Sequence, residues 1–333
     1  MSEGNLQETA RALVAEGKGI LAADESSPTI KKRFESIQLE STEDSRRDYR
    51  ALLFSTPDVG RYISGVILFD ETIRQNAADG TPLVKMIQDA GIIPGIKVDK
   101  GAKPLAGHPG EKVTEGLDGL RERCAEYVRL GARFTKWRAV YQIGAGVPSQ
   151  ACIATNAHAL ARYAALSQEA GLVPIVEPEV LMDGDHTIDR CEEVTEAVLR
   201  VVFAELAVQG VALEGMLLKP NMVLSGKDCP EQAGVAEVAR RTVRCLKRAV
   251  PAAVPGIVFL SGGQSDEQAT LHLDAINKLP EQAPWRLSFS YGRALQAAPL
   301  KAWAGKAENV AAAQAAFFER AKANGAATQG AYA

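Results

Sequence analysis

One lysine in this chain occupies a position where a soluble protein rarely places a charge. Lys219 ends the apolar part of the segment EGMLLKPNMV, residues 214–223, which has the composition of a buried strand. Burial disfavours an ammonium ion, so we expect the pKa of Lys219 to fall from about 10.4 toward neutrality. A neutral amine can attack a ketone and form a Schiff base, which makes Lys219 a candidate nucleophile for carbonyl chemistry.

Other charged residues follow strand-like segments in the same way. Side chains alternate along a strand with a period of two, so residues two apart share a face. If these faces line one cavity, amines and carboxylates meet in a partly desolvated space. A buried ion-pair network that only fixes strand register is the alternative, although apolar residues often stabilise a core equally well. The residues that share a face are Ala22, Asp24 and Ser26; Lys97 and Asp99; Phe134, Lys136 and Arg138; Ile175, Glu177 and Glu179; and Leu217 and Lys219.

Two glycine-containing turns are typical of phosphate sites. The first, SGGQSDEQ, contains Ser261, Gly262 and Gly263 and precedes a predicted helix that begins at Ser265 and Asp266, so backbone N–H groups can bind an oxyanion there. The second, SYGRALQ, contains Gly292 and Arg293, and an arginine matches the oxygen geometry of phosphate. We therefore predict anion binding at both turns.

Arg33 lies in the helical segment TIKKRF, which follows Asp24 and Ser26. Its local sequence is equally compatible with a solvated helix face and with a phosphate contact. The residues around it do not separate these two interpretations.

The bulk properties describe an ordinary globular protein. The chain has 333 residues, 46% hydrophobic residues and a formal net charge of −3. That charge gives no basic field for nucleic acid, so a phosphorylated ligand must be bound by local groups. The five cysteines show no CxxC spacing, and the four histidines show no HxH or HExxH pair. We expect reduced thiols, no metal, no cofactor, no membrane segment and no secretory signal, and hence a cytoplasmic location.

Eight β-rich segments alternate with helical periodicity along the chain. Such alternation, without a GxGxxG motif after the first strand, favours a closed parallel barrel over a dinucleotide-binding sheet. We predict an α/β fold, a single-domain (β/α)8 TIM barrel over residues 1–333 with a short N-terminal helix and a short C-terminal helix or tail. The final helix, within ENVAAAQAAFFERAKANG, is predicted to end at Gly325. The predicted strand segments are 17–26, 64–71, 93–101, 132–140, 172–180, 214–220, 256–263 and 285–292.

The chain resembles the class I, Schiff-base and metal-independent fructose-bisphosphate aldolases of glycolysis and gluconeogenesis. The resemblance covers roughly residues 5 to 325, with the motifs in the order of that family. It implies aldol cleavage of fructose 1,6-bisphosphate and a homotetramer. The motifs are GKGILAADES, GVILFDET, GIKVDKG, KWR, VPIVEPE, LLKPNMV, FLSGGQS and FSYGRALQ.

The resemblance also implies a role for each matching residue. Lys219 corresponds to the Schiff-base lysine, Glu177 to the principal proton acceptor and donor, and Lys136 and Asp24 to their catalytic neighbours. Glu179 corresponds to the second glutamate of the motif. Ser261, Gly262, Gly263, Gly292 and Arg293 match residues that hold the phosphate next to the ketone, and Lys97, Arg138, Ser26 and Arg33 match residues near the second phosphate.

The chain departs from the family pattern in two places. Pro28 and Thr29 stand where relatives often have Gly and Ser, and the sequence ends at Tyr332 and Ala333, whereas animal and plant relatives continue to a terminal tyrosine that assists proton exchange. We do not assign that role to Tyr332. The rival functions are another Schiff-base lyase or transferase of the transaldolase kind, and a barrel that binds sugar phosphates or a protein without catalysis.

Overall fold

A computed structural model describes residues 3–280 and 283–332 of the chain. Residues 1–2, 281–282 and 333 of the predicted domain lie outside the described residues, and Ala333 of the tail is the last of these. Twelve α-helices occur in the described part of the chain: α1 Glu3–Leu13, α2 Ser27–Glu35, α3 Glu43–Phe54, α4 Asp70–Ile73, α5 Leu83–Asp89, α6 Leu120–Arg129, α7 Gln150–Glu169, α8 Ile188–Val208, α9 Val235–Ala249, α10 Asp266–Asn277, α11 Arg293–Trp303 and α12 Val310–Ala327. Single turns of 3₁₀-helix cover Val59–Arg61, Leu213–Gly215 and Ala307–Asn309.

Eight parallel strands close into a barrel, which confirms the predicted fold. Each strand lies within its predicted segment or within one residue of it. Around the barrel the order is β1, β2, β3, β6, β7, β8, β9 and β10, after which β10 pairs with β1 again. β4 and β5 pair outside the barrel as a two-stranded antiparallel sheet. The ten strands are β1 Gly19–Ala23, β2 Ile63–Leu68, β3 Ile93–Lys97, β4 Ala102–Pro104, β5 Lys112–Thr114, β6 Phe134–Tyr141, β7 Val173–Val180, β8 Leu217–Leu218, β9 Gly256–Phe259 and β10 Arg286–Tyr291.

The lower half of the barrel is closed by apolar side chains. Leu13 of α1 packs with Ile20, Phe134 and Val258 in a separate buried cluster inside the strands. The ring of Phe134 lies so close to Gly95 that a Cβ there would come within 2.3 Å of it. Because this end is filled and dry, the charged residues of the same strands lie at the other end, where the strands finish.

The predicted face assignment agrees with this packing. Ala22, Ile175 and Leu217 belong to the interior cluster together with Phe134. Strand alternation then directs the residues two positions further along into the interior at the carboxyl end. The polar cavity is thus a consequence of the same period-two pattern that forms the apolar cluster beneath it.

Two helix boundaries were predicted, with different outcomes. The start of α10 is confirmed, because Ser265 caps the helix and forms a reciprocal capping box with Gln268. The predicted end at Gly325 is wrong, since α12 continues to Ala327. A Cβ at Gly325 would lie 2.6 Å from the carbonyl oxygen of Gly17. Gly325 therefore permits close packing of the helix on the start of β1 and does not terminate the helix.

Candidate active site

The cleft at the carboxyl ends of the strands has a volume of about 770 Å³ and brings the predicted site residues together. Loops after β1, β7, β8, β9 and β10 form its walls. Every site residue predicted from the sequence lines it: Asp24, Ser26, Arg33, Lys97, Lys136, Arg138, Glu177, Glu179, Lys219, Ser261, Gly262, Gly263, Gly292 and Arg293.

Lys219 lies in the buried centre of this cleft, just beyond β8. Its backbone N–H donates to the carbonyl of Val176 at 2.8 Å, which continues the pairing with β7. Its Nζ lies 3.1 Å from Oε1 of Glu177. Burial, helped by the Lys136 cation, lowers the pKa of Lys219 below its usual value, although the carboxylates of Glu177 and Asp24 act in the opposite direction. The predicted direction of the shift therefore agrees with the geometry.

Lys136 of β6 differs from Lys219 in the direction of its pKa shift. Its Nζ lies 2.7 Å from Oε2 of Glu177 and 3.0 Å from Oδ2 of Asp24. Burial acts to lower the pKa of Lys136, but the attraction of Asp24 and Glu177 outweighs it and raises the pKa well above the usual value. The site thus holds a permanently charged ammonium next to an amine that loses its proton more easily.

Glu177 of β7 contacts both amines, one with each carboxylate oxygen. Asp24 pairs with Lys136 and interacts with Lys219 through its charge. Burial raises the pKa values of Asp24 and Glu177, yet the neighbouring lysines outweigh that effect and lower both. Both carboxylates are therefore ionised at neutral pH, and Glu177, more than Asp24, joins the two lysines.

A second group of charges lies on the β3 and β6 side of the cleft. Lys97 Nζ lies 2.9 Å from Oδ1 of Asp99, and Oδ2 of Asp99 accepts the backbone N–H of Arg138 at 3.2 Å. The Arg138 Nε lies 2.5 Å from Oε2 of Glu179. Asp99 shares a strand face with Lys97 in the sequence and lines the cleft, although it was not among the predicted site residues.

The two glycine turns lie side by side on the opposite wall. Gly262 has a φ of +55°, a conformation that favours glycine, and Arg293 donates from Nη2 to its carbonyl oxygen. Gly292 precedes the first residue of α11. A Cβ at Gly292 would lie 3.5 Å from Nη2 of Arg33, so Arg33 reaches this wall of the cleft. Of the two interpretations left open for Arg33, the structure therefore excludes a solvated helix face.

A buried network holds Arg33 in place. Glu25 forms an ion pair with Arg33 and another, at 3.2 Å, with Arg50, whose side chain is only 1% exposed. Gln296 donates to Glu25 at 2.7 Å from the α11 side. The sequence did not indicate Glu25 as a site residue, because alternation predicts that it faces away from Asp24, but in the structure it follows the end of β1 and lines the cleft. Only the packing of α2, α3 and α11 around it shows this contribution.

Some cleft residues carried no sequence signal, and Tyr332, to which no role is assigned, lies outside the cleft. Lys32 and Lys227 line the cleft from a helix and a loop, where period-two reasoning does not apply. The Ser26 hydroxyl lies 3.1 Å from that of Thr29, one of the two departures from the family pattern. The backbone N–H of Tyr332 donates to Asp274 of α10 at 2.8 Å, and Tyr332 is not among the residues that line the cleft.

No helix within residues 3–280 and 283–332 is long and apolar enough to cross a membrane. In the same ranges, no group of three or more His, Cys, Asp or Glu side chains is arranged to hold a metal ion.

Comparison with known proteins identifies relatives along the whole length. The family model of fructose-bisphosphate aldolase class-I matches residues 5–333. The chain is 63% identical to a probable fructose-bisphosphate aldolase class 1 of Xanthomonas campestris pv. campestris, over 99% of each chain. It is 58% identical to the cytosolic fructose-bisphosphate aldolase 4 of Arabidopsis thaliana, over 95% of this chain and 80% of the relative.

A solved structure is similar over almost the whole chain. The fructose-bisphosphate aldolase of Plasmodium falciparum superposes with a TM-score of 0.98 at 53% identity, over 99% of this chain and 95% of that one. Similarity at this level extends well beyond the fold to the sequence itself.

Proposed function

The chain belongs to the class-I fructose-bisphosphate aldolase family, whose members cleave fructose 1,6-bisphosphate in glycolysis through a Schiff base, and we propose that Lys219 is the amine that forms it. This lyase activity yields dihydroxyacetone phosphate and glyceraldehyde 3-phosphate and is reversible. The observation that carries the assignment is the pair of buried lysines on one carboxylate, of which only Lys219 has a lowered pKa.

The first steps follow from the unequal lysines. The neutral amine of Lys219 adds to the C2 ketone, and the resulting carbinolamine loses water to give an iminium ion. That cation accepts electrons as the C3–C4 bond breaks. Lys136 stays protonated, so it favours the neutral form of Lys219 and stabilises negative charge that develops beside it.

We assign the proton transfers to Glu177. It is ionised, lies 3.1 Å from the nucleophile and has a second oxygen held by Lys136. As a base it takes the proton of the C4 hydroxyl during cleavage, which releases glyceraldehyde 3-phosphate and leaves an enamine. Protonation and hydrolysis of the enamine then free dihydroxyacetone phosphate. Asp24 holds the charge of Lys136, and Glu179 holds the side chain of Arg138.

The two phosphates of the substrate bind at opposite walls of the cleft. The turns at Ser261–Gly263 and Gly292–Arg293 supply N–H groups and a guanidinium for the phosphate next to the ketone. Lys97, Arg138 and Ser26 serve the second phosphate. Arg33 belongs to this group in the family pattern, but its proximity to Gly292 favours an additional contact with the first phosphate.

We propose further that the chain forms one domain, acts in the cytoplasm and assembles as a homotetramer. The cytosolic plant relative supports the location, and the family resemblance supports the assembly. Light scattering of the purified protein would measure the mass of the assembly directly; a mass equal to one chain would refute the tetramer.

Chemical trapping tests the assignment of Lys219. The protein is incubated with dihydroxyacetone phosphate and a chelator, reduced with borohydride, digested and mapped by mass spectrometry. We expect one stable adduct, on Lys219. An adduct on Lys136, or none on folded protein, would overturn the assignment.

A further inference from the structure

A methionine lies directly on the phosphate turn after β9. The Sδ atom of Met182 accepts the backbone N–H of Gly263 at 3.1 Å. A Cβ at Gly263 would lie 2.7 Å from that sulfur and 3.1 Å from Cγ, so the thioether covers this residue closely. The backbone of Met182 is itself anchored, because its carbonyl accepts the N–H of Lys227 at 2.6 Å. The Met182 side chain therefore reaches the turn from a hydrogen-bonded backbone position.

This contact matters if the turn binds phosphate, and in that respect the inference rests on the proposed function. The Gly263 N–H is one of the donors that we assign to the phosphate next to the ketone. A thioether sulfur is a weak acceptor, so a phosphate oxygen, which is charged, displaces it readily. In its reduced form Met182 therefore satisfies the N–H group without competing strongly with substrate.

The reactive sulfur atoms of the chain are distributed unequally. The five cysteines are buried, and burial raises the pKa of Cys124 and Cys152 to about 11, which leaves little reactive thiolate. Met216 and Met222 are also buried. Met182 is only partly buried and, among the described residues, is the one sulfur-containing side chain that lines the cleft.

We propose that Met182 is an oxidation site whose sulfoxide form blocks the phosphate turn. A peroxide transfers one oxygen atom to the Sδ lone pair: its O–O bond breaks, an S–O bond forms, the sulfur loses two electrons and hydrogen peroxide becomes water. The new oxygen is a strong acceptor in place of a weak one, and it lies beside the Gly263 N–H. Substrate phosphate must then compete for that donor and for the space above it.

The proposal predicts a loss of phosphate affinity with little effect on the buried lysines. The wild-type enzyme is treated with hydrogen peroxide until peptide mapping shows sulfoxide at Met182. The Kd for inorganic phosphate, by calorimetry, and the KM for fructose 1,6-bisphosphate should each rise about tenfold, since one charge-assisted contact is replaced. Methionine sulfoxide reductase should restore both values.

Two variants locate the effect, each compared with its own untreated sample. Met182→Leu keeps an apolar side chain of similar volume and should lose the response to peroxide. Met86→Leu removes the partly exposed methionine of α5, which is not among the residues that line the cleft, and should respond as the wild type does. Equal responses in Met182→Leu and wild type, an unchanged phosphate Kd with Met182 fully oxidised, or oxidation of Met86 with Met182 untouched would each overturn the inference.

The same samples separate this inference from the proposed function. Borohydride trapping on untreated enzyme reports on Lys219 alone. An imine on Lys219 together with an unchanged phosphate Kd after oxidation refutes only the role of Met182. Absence of the imine refutes the proposed function, whereas the change in phosphate Kd still decides whether oxidation of Met182 affects anion binding.

Discussion

The floor and the rim of the cleft differ in how deeply their charged side chains are buried. The floor consists of Asp24, Lys136, Glu177 and Lys219, and the rim consists of Arg33, Lys97, Arg138 and Arg293. In the floor, Glu177 and both lysines are only 4–5% exposed, and each amine contacts a carboxylate. On the rim Arg293 is exposed, the Arg138 side chain is 42% exposed, and those of Arg33 and Lys97 are 20% and 16% exposed.

The difference in burial decides what each region can do. Charges removed from water interact strongly, so small changes in contact give one lysine a lowered pKa and the other a raised one. Charges that keep more contact with water are screened by water and salt, so the rim cations attract phosphate mainly by charge and hydrogen bonding. The floor is thus suited to proton transfer and bond cleavage, and the rim to binding.

Removal of the nucleophile should have the largest effect. Lys219→Ala deletes the amine that forms the Schiff base, and we expect kcat to fall by at least about a thousandfold. The fold should survive, because Lys136 still neutralises Glu177. Steady-state cleavage assays and circular dichroism measure the two properties.

A matched control for this variant is Lys85→Ala, which removes an exposed lysine paired with Asp89 on α5. It should retain full activity. Turnover close to wild type in purified Lys219→Ala would show that another group forms the covalent intermediate.

The next largest effect is expected from Glu177→Gln. It keeps the shape of the side chain but removes the base, so kcat should fall by about 10²–10⁴-fold. The imine with dihydroxyacetone phosphate should still form, since Lys219 remains. Glu179→Gln, which changes a carboxylate paired with Arg138 on the rim, is the comparison and should affect KM more than kcat. Equal losses of kcat in the two variants would contradict the distinction between floor and rim.

Rim substitutions should have smaller effects, confined to binding. Loss of a charge-assisted hydrogen bond is worth about 1.5–3 kcal/mol, so Arg293→Ala and Lys97→Ala should each raise KM by about 10–100-fold. Lys97→Ala should also reduce the preference for fructose 1,6-bisphosphate over fructose 1-phosphate, because it serves the second phosphate. Kinetics with both sugars test this; an unchanged preference would remove Lys97 from the second phosphate site. An enzyme that cleaves both sugars equally well before mutation would weaken the assignment of a second phosphate site as a whole.

Much of the floor could be predicted from the sequence because strands have a simple period. Ala22, Ile175 and Leu217 point into the barrel, and the charged residues two positions later follow them. The parallel barrel then brings the ends of distant strands together. Position in the chain, residue type and alternation were sufficient for Lys219, Glu177, Lys136 and Asp24.

The parts that could not be predicted depend on packing between elements. Alternation predicts that Glu25 faces away from Asp24, yet it follows the end of β1 and lines the cleft, where contacts with Arg50 and Gln296 make it the anchor of Arg33. Met182 lies in a loop, where no period applies. Gly325 was interpreted as a helix end, whereas its role is to admit the carbonyl of Gly17. In each case the partner lies far away in the sequence.

The pH dependence of imine formation is the measurement that tests the account most directly. The rate of borohydride-trapped adduct formation between the enzyme and dihydroxyacetone phosphate is recorded from neutral to alkaline pH. Because burial lowers the pKa of Lys219 below 10.5, the rate constant for adduct formation should level off at a lower pH than it does for an exposed lysine. A rate that keeps rising through pH 10.5, as for an exposed lysine, would contradict the central claim that the floor holds one neutral and one charged amine.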